Sequence, residues 1–246
     1  PSLNILLVED VDLNIMVAKT ILEKLGHHVD VATNGKQAIT LFEKNVYDIL
    51  LLDIKLPDMS GFEIAQYLRE NYENGIYDFL PPMIAFTANV MQSEQEYLEM
   101  GMDGVLRKPI SIKDLHHCLQ QFFADESESI TEINDDNELS EQFDLALIET
   151  LGKPQILENL SLFKQTMPNY LVQLSKDNMK ETEDTAHKIK GAAASVGLNN
   201  LRQLADTLEN AAKNSDIFNC GELIDEIGNH WLENVEDLAK FCKVEE

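Results

Sequence analysis

In the first half of the chain, chemically capable side chains stand at the ends of short apolar runs. Glu9 and Asp10 follow Asn4–Val8, Asp53 follows the run that opens at Asp48, Thr87 follows Met83–Phe86, and Lys108 follows Gly104–Leu106. Runs this short and this apolar are what strands buried on both faces of a parallel sheet require. If the first strand lies between the others, all five side chains meet at one mouth, beyond the carboxyl ends of the strands, where such sheets bind ligands. Three carboxylates brought together raise one another's pKa, and a divalent cation relieves the repulsion. Hard oxygen ligands in an open, partly hydrated site favour magnesium. Asp53, at a strand tip, is placed to attack phosphorus as a nucleophile. Magnesium and the Lys108 ammonium would neutralise charge on the phosphoryl oxygens, and the Thr87 hydroxyl can donate to one of them. Taken singly, an Asp at a strand end is usually a turn former and a Lys is usually solvated. The functional reading rests on the five in this order on these elements.

A second reactive candidate is His187, in AHKIKGAAASVGL. On a helix advancing about 100° per residue, Ala186, Ile189, Ala193 and Val196 share one buried side. His187 falls on the other, which predicts a ring turned outward from the bundle. Gly191 and Ala194 flank it, and Lys190 lies one turn away. Glycine inside a helix is destabilising by roughly 0.5–1 kcal/mol relative to alanine, so Gly191 implies close approach of another backbone. Lys190 could hold a phosphoryl oxygen. An exposed histidine is ordinarily only a surface residue. His27, His28, His116, His117 and His230 are read that way, having no ligand spacing.

The elements that position these residues differ between the halves. Strand-like runs at Asn4–Val8, Val29–Ala32, Asp48–Leu52, Met83–Phe86 and Gly104–Leu106 alternate with helical spacing at Asp12–Leu25, Gly35–Lys44, Ser60–Glu70, Gln92–Met100 and Ser111–Phe123. Five β-then-α units predict an α/β domain with a doubly wound, five-stranded parallel sheet over residues 1–124. Residues 143–246 carry no strand signal. A short helix at Asp144–Leu151 precedes helices at Gln155–Lys176 (interrupted by Pro168) and Thr182–Val196, then one marked by Leu201 to Ala212 and one by Leu223 to Cys242, an all-α four-helix bundle. Between them, residues 125–142 hold eight acids and no base. So few apolar groups cannot offset the entropy of ordering the backbone, and the segment reads as a flexible acidic linker.

Composition narrows the classes. The chain has 246 residues, 19 basic and 44 acidic side chains, and a formal charge of −25. Direct nucleic-acid binding is not expected of so acidic a surface. No apolar stretch is long enough to span a bilayer. Cys118, Cys220 and Cys242 lack metal-type spacing, as in a reduced, cytoplasmic protein. The chain opens Pro-Ser, which reads as a fragment or processed form.

VEDVDLN, LLDIKLPDMSG, FTAN and LRKP resemble the signature segments of response-regulator receiver domains, over residues 1–124. The resemblance implies a CheY-like (flavodoxin-like) fold with Asp53 as phosphoacceptor. Asp10, Asp53 and the backbone carbonyl of Lys55 would bind Mg2+, Glu9 would act through water, and Thr87 and Lys108 would read the phosphoryl group. It also allows a cis Lys108–Pro109 bond. The family usually has Phe or Tyr three residues before the lysine, as a rotamer switch coupled to the threonine, and here Val105 stands there. AHKIKGAAASVGL resembles the phosphoacceptor segment of histidine phosphotransfer (HPt) domains, over residues 143–246. That implies His187 as carrier, Lys190 as assistant, Gly191 and Ala194 as the small positions for a partner's approach, and Gly197 as the loop glycine.

Receiver, linker and HPt in this order resemble the C-terminal part of a hybrid sensor histidine kinase. The expected activity is phosphorelay. The expected partners are an upstream histidine kinase core of the same parent chain and the receiver of a downstream, DNA-binding response regulator. The parent is expected to be dimeric and anchored at the inner face of the bacterial inner membrane, with this part in the cytoplasm. No glycine-rich nucleotide-binding segment occurs, so self-phosphorylation from ATP is not expected. The alternatives are an unphosphorylated docking or adaptor module, for which Val105 is the one supporting feature, and a drain returning phosphate from the HPt through the receiver to water.

Overall fold

The computed structural model describes residues 2–88, 93–123 and 142–243. They fall into two compact units, and the division lies within residues 124–141. Apart from Gln142, the segment read as a linker is outside the described residues.

The first unit alternates strands and helices in the order β1 (Asn4–Val8), α1 (Asp12–Lys24), β2 (His28–Ala32), α2 (Gly35–Lys44), β3 (Ile49–Asp53), α3 (Gly61–Glu73), β4 (Met83–Thr87), α4 (Glu94–Glu99), β5 (Gly104–Arg107) and α5 (Ile112–Phe123). All neighbouring strands pair in parallel, in the order β2-β1-β3-β4-β5. β1 therefore lies between β2 and β3, and the strand order reverses beside it, which makes the switch-point crevice. Every residue of β3 and β4 is buried, as helices on both faces of a parallel sheet demand. The described part of the fourth helix is shorter than the periodicity predicts, running from Glu94 to Glu99 behind a Ser93 cap.

The loop after β3 is held at both ends. Ser60 and Glu63 form a reciprocal capping box at the start of α3. Within the loop, the Asp58 carboxylate accepts from the Gly35 and Lys36 N–H groups at the start of α2, at 2.8 and 2.9 Å, and from its neighbour Met59. Slight desolvation works against that carboxylate, but these backbone donors hold its pKa below the ordinary value. Gly61 is required where it stands. A Cβ there would lie 2.4 Å from the backbone oxygen of Asp53.

The second unit consists of α6 (Leu145–Leu151), α7 (Lys153–Gln173), α8 (Met179–Val196), α9 (Asn199–Lys213) and α10 (Ile217–Lys243). The four long helices form a ring in which α7 packs on α8 and α10, and α9 packs on α8 and α10. Pro168 sits inside α7 without ending it. The first turn of α8, capped by Asn178, and the start of α10 at Ile217 extend beyond the ranges that periodicity predicts. Apolar spacing marks only the part of a helix that faces a core, and Ile217 and Phe218 are exposed. Gly197, in the left-handed conformation, ends α8. Among the described residues no helix is long and apolar enough to cross a membrane.

Gly61→Ala is expected to lower stability by about 1–3 kcal/mol, the usual cost of overpacking, because the neighbour that must yield is backbone. Denaturant unfolding of the two proteins measures the difference.

Candidate functional site

The acidic mouth is made by three strand ends. β1 stops at Val8, and the Glu9 N–H still pairs with Ala32 of β2 at 3.0 Å, which fixes the carboxylates that follow. Asp53 is the last residue of β3 and is registered with Phe86 of β4. The Lys108 N–H donates to the Thr87 carbonyl at 2.9 Å, so Lys108 continues the β5 ladder beside β4. The Lys108–Pro109 peptide bond is cis.

Lys108 reaches back across this edge. Its Nζ lies 2.7 Å from Asp53 Oδ2, pairs also with Glu9 Oε2, and stands 5.0 Å from the centre of the Phe86 ring. Glu9, Asp53, Thr87 and Lys108 are all buried, while Asp10 is half-buried. Asp53 Oδ1 accepts from the Lys55 N–H at 3.3 Å. One oxygen from each of Glu9, Asp10 and Asp53 can be chosen so that all three lie within 4.8 Å of one another.

The electrostatics follow from burial. Desolvation raises the Asp53 pKa to about 7, with Lys108 opposing and Glu9 and Asp10 adding to the rise. Burial disfavours the Lys108 ammonium, but Asp53 and Glu9 outweigh it and its pKa is raised. The donor set is all carboxylate, which suits a hard divalent cation such as magnesium. Lys108 engages both Glu9 and Asp53, and Asp10 is the more exposed of the three acids. All five residues that the sequence analysis places at this mouth are at the carboxyl edge of the sheet, with Thr87 closing β4.

In the bundle, His187 and Lys190 lie on α8, and both turn toward α9. His187 Nδ1 is 3.0 Å from Glu209 Oε1. Lys190 Nζ is 2.5 Å from Glu209 Oε2 and 3.0 Å from Asp206 Oδ1. One expectation is corrected here. The His187 ring is not turned to solvent, since the residue is only 8% exposed. Lys190 is buried as well and is held by two carboxylates. Ala186, Ile189, Ala193 and Val196 are indeed fully buried, but α8 has neighbours on more than that one side. The α9 side is joined by charges, and hydrophobic periodicity does not register it. Gly191 and Ala194, read as small positions for a partner, are buried as well.

Glu209 and Asp206 were not picked out from the sequence. Their spacing of one helical turn on α9 is common on any solvated helix, and only the fold sets them against α8. The pairing has a chemical consequence. An ionised carboxylate can only accept, so Nδ1 must carry the proton, and a neutral ring then has its lone pair on Nε2.

Both halves of the chain resemble known proteins. The family described as "Response regulator receiver domain" matches residues 5–120, and the "Hpt domain" family matches residues 158–240. The chain is 40% identical over 251 residues to the aerobic respiration control sensor protein ArcB of Escherichia coli (strain K12), covering 98% of this chain and 32% of that protein. It is 32% identical over 203 residues to the sensor histidine kinase AruS of Pseudomonas aeruginosa, covering 80% of this chain and 20% of that one. It thus spans about a third or less of these relatives. Among solved structures, the receiver domain of the sensor histidine kinase PA1611 from Pseudomonas aeruginosa, which has a coordinated magnesium ion, is 36% identical. That match covers 50% of this chain and 98% of the other, with a TM-score of 0.43. Proteins with these two domains work with histidine kinases and response regulators in general. Residues matching the response regulator receiver family and residues matching the Hpt family thus occur in one chain, a combination that indicates phosphorelay signal transduction.

Proposed function

We propose that Asp53 takes a phosphoryl group from a kinase phosphohistidine and that His187 carries it onward to a separate response regulator. The observation that carries this reading is the buried Lys108 ammonium held between Glu9 and Asp53, with Asp10 beside them. A structural ion pair has no use for a third acid at the same edge. In the first step an Asp53 oxygen bonds to phosphorus as the N–P bond of the donor breaks, and the donor imidazole keeps the electron pair. In the second, Nε2 of His187 bonds to phosphorus as the acyl O–P bond breaks, and the Asp53 carboxylate is regained. The same steps run backward drain phosphate from a regulator.

Each residue has a physical task. Lys108 neutralises phosphoryl oxygens and Thr87 donates to one, both pre-placed by the β4–β5 ladder. Glu209 holds the ring of His187 and its tautomer. Lys190, shared with Asp206, offsets part of the charge of Glu209, so the ring does not face a bare anion. Asp10, Asp53 and the Lys55 carbonyl would hold a magnesium ion, with Glu9 acting through water. When bound, that ion supplies positive charge at the phosphoryl oxygens. Residues 1–124 and 143–246 are the receiver and HPt domains in this reading, and 125–142 is the tether that sets their effective concentration for each other. The parent is a dimeric, membrane-anchored hybrid kinase, this part lies in the cytoplasm, and the downstream partner is a DNA-binding regulator.

Acetyl phosphate and magnesium, followed by intact-mass analysis, test the relay. The wild type is expected to gain an acid-labile adduct at His187. Asp53→Asn should gain none from acetyl phosphate, yet still accept phosphate at His187 from a phosphorylated regulator. Delivery to that regulator by His187→Gln would sink the relay. An adaptor would gain no mass at all. Glu209→Leu is expected to slow transfer through His187 by about 10-fold or more, the usual scale for a lost orienting group, with acceptance at Asp53 unchanged in the same assay.

Magnesium at about 100 times its Kd should add about 2.7 kcal/mol of stability at pH 7.5. The Asp53 pKa is raised on folding, so the folded state loses stability as pH rises from about 4 through about 7. A cation relieves that loss. At pH 5.5 the proton already does, and the magnesium increment in a thermal melt should shrink. An increment that grows on acidification would contradict the assignment.

A further inference from the structure

The receiver family couples its threonine to an aromatic residue on the last strand, and Val105 denies this chain that device. Yet an aromatic hydroxyl does stand at Thr87, and it comes from a different element. Tyr97 of α4 is 1% exposed, and its ring packs at 5.9 Å from that of Phe62 on α3. It belongs to the same core as Leu52 and Ala85, and Val105 packs against that core. Ala85 and Val105 are partners across β4 and β5, so two small side chains leave room where one large one would stand. Burial raises the Tyr97 pKa, and the neighbouring Thr87 hydroxyl and then Arg107 oppose the rise, yet among the described residues none meets the hydroxyl in a well-formed hydrogen bond. Tyr97 is also the one buried residue of α4. That short helix is anchored to the domain core largely through this ring.

A buried phenol without a partner is unfavourable, and native structures seldom keep one without a use. Threonine has a single O–H, so it donates to one acceptor at a time, while its lone pairs can accept another proton. Once the Thr87 hydroxyl donates to a phosphoryl oxygen on Asp53, its oxygen is set to accept from the Tyr97 O–H. We infer that Tyr97 is the positioning residue for Thr87, so that phosphorylation of Asp53 reaches α4 through this hydroxyl pair rather than through position 105. This rests on Asp53 being the phosphoacceptor. Filling the core requires only the ring of Tyr97, and a phenylalanine would serve equally well.

The test uses the full chain labelled with 3-fluorotyrosine, with magnesium and beryllofluoride as the phosphoryl mimic. Among the six tyrosines, the fluorine resonance missing from Tyr97→Phe is that of Tyr97. It should shift by more than its linewidth when beryllofluoride binds, and Thr87→Val should abolish that shift. Amide exchange at residues 94–99 should respond to beryllofluoride in the wild type and lose most of that response in Tyr97→Phe, with the mimic still bound. An unmoved Tyr97 resonance in the presence of bound beryllofluoride overturns the inference and leaves the acidic site intact. So does an α4 response that is equal in Tyr97→Phe. Absence of any bound-fluoride signal in the wild type removes the phosphoacceptor reading, and the inference with it.

Discussion

A single buried ammonium organises the receiver half. Lys108 lies at the end of β5, Asp53 at the end of β3 and Glu9 just past β1, so the ion pair ties three strand ends into one edge. Removing one partner from such a buried group is costly, on the order of 3–5 kcal/mol, because the others are left charged and dry. Two carboxylates share this cation and a third adjoins them. Burial raises the Asp53 pKa, with Glu9 and Asp10 adding to the rise against Lys108. Three acids gathered at one sheet edge make a place where a cation and a phosphoryl group could enter together.

The bundle solves a related problem by different means. Here too a buried lysine faces two acids, Asp206 and Glu209, and one of them also holds the ring of His187. An ionised carboxylate there fixes which nitrogen of a neutral ring carries the proton. In one half the lysine pairs directly with the acid proposed to react, and in the other with the acid that orients the proposed carrier.

Much of this was legible in the sequence, for identifiable reasons. Strands buried on both faces have no choice but to be short and apolar, so Asn4–Val8 and Met83–Phe86 announce themselves, and the residues at their ends follow by position. The ring of long helices was readable from apolar spacing for the same reason. What escaped was whatever is held by charge across elements. The outward-facing His187 is predicted because apolar periodicity counts an ion-paired face as a wet one. Glu209 and Tyr97 carry no local mark, and only the fold sets one against His187 and the other beside Thr87.

Asp58 touches none of the reactive groups, yet it clamps the loop that follows Asp53 onto the first turn of α2. That loop contains Lys55, whose N–H already contacts Asp53. Its ordering is completed during folding, before any cation arrives, so little conformational freedom remains to be lost on binding. Any cation that enters this mouth would meet a loop already held in place by an aspartate on its far side, and a sequence drifting at position 58 would loosen that hold without changing Glu9, Asp10 or Asp53.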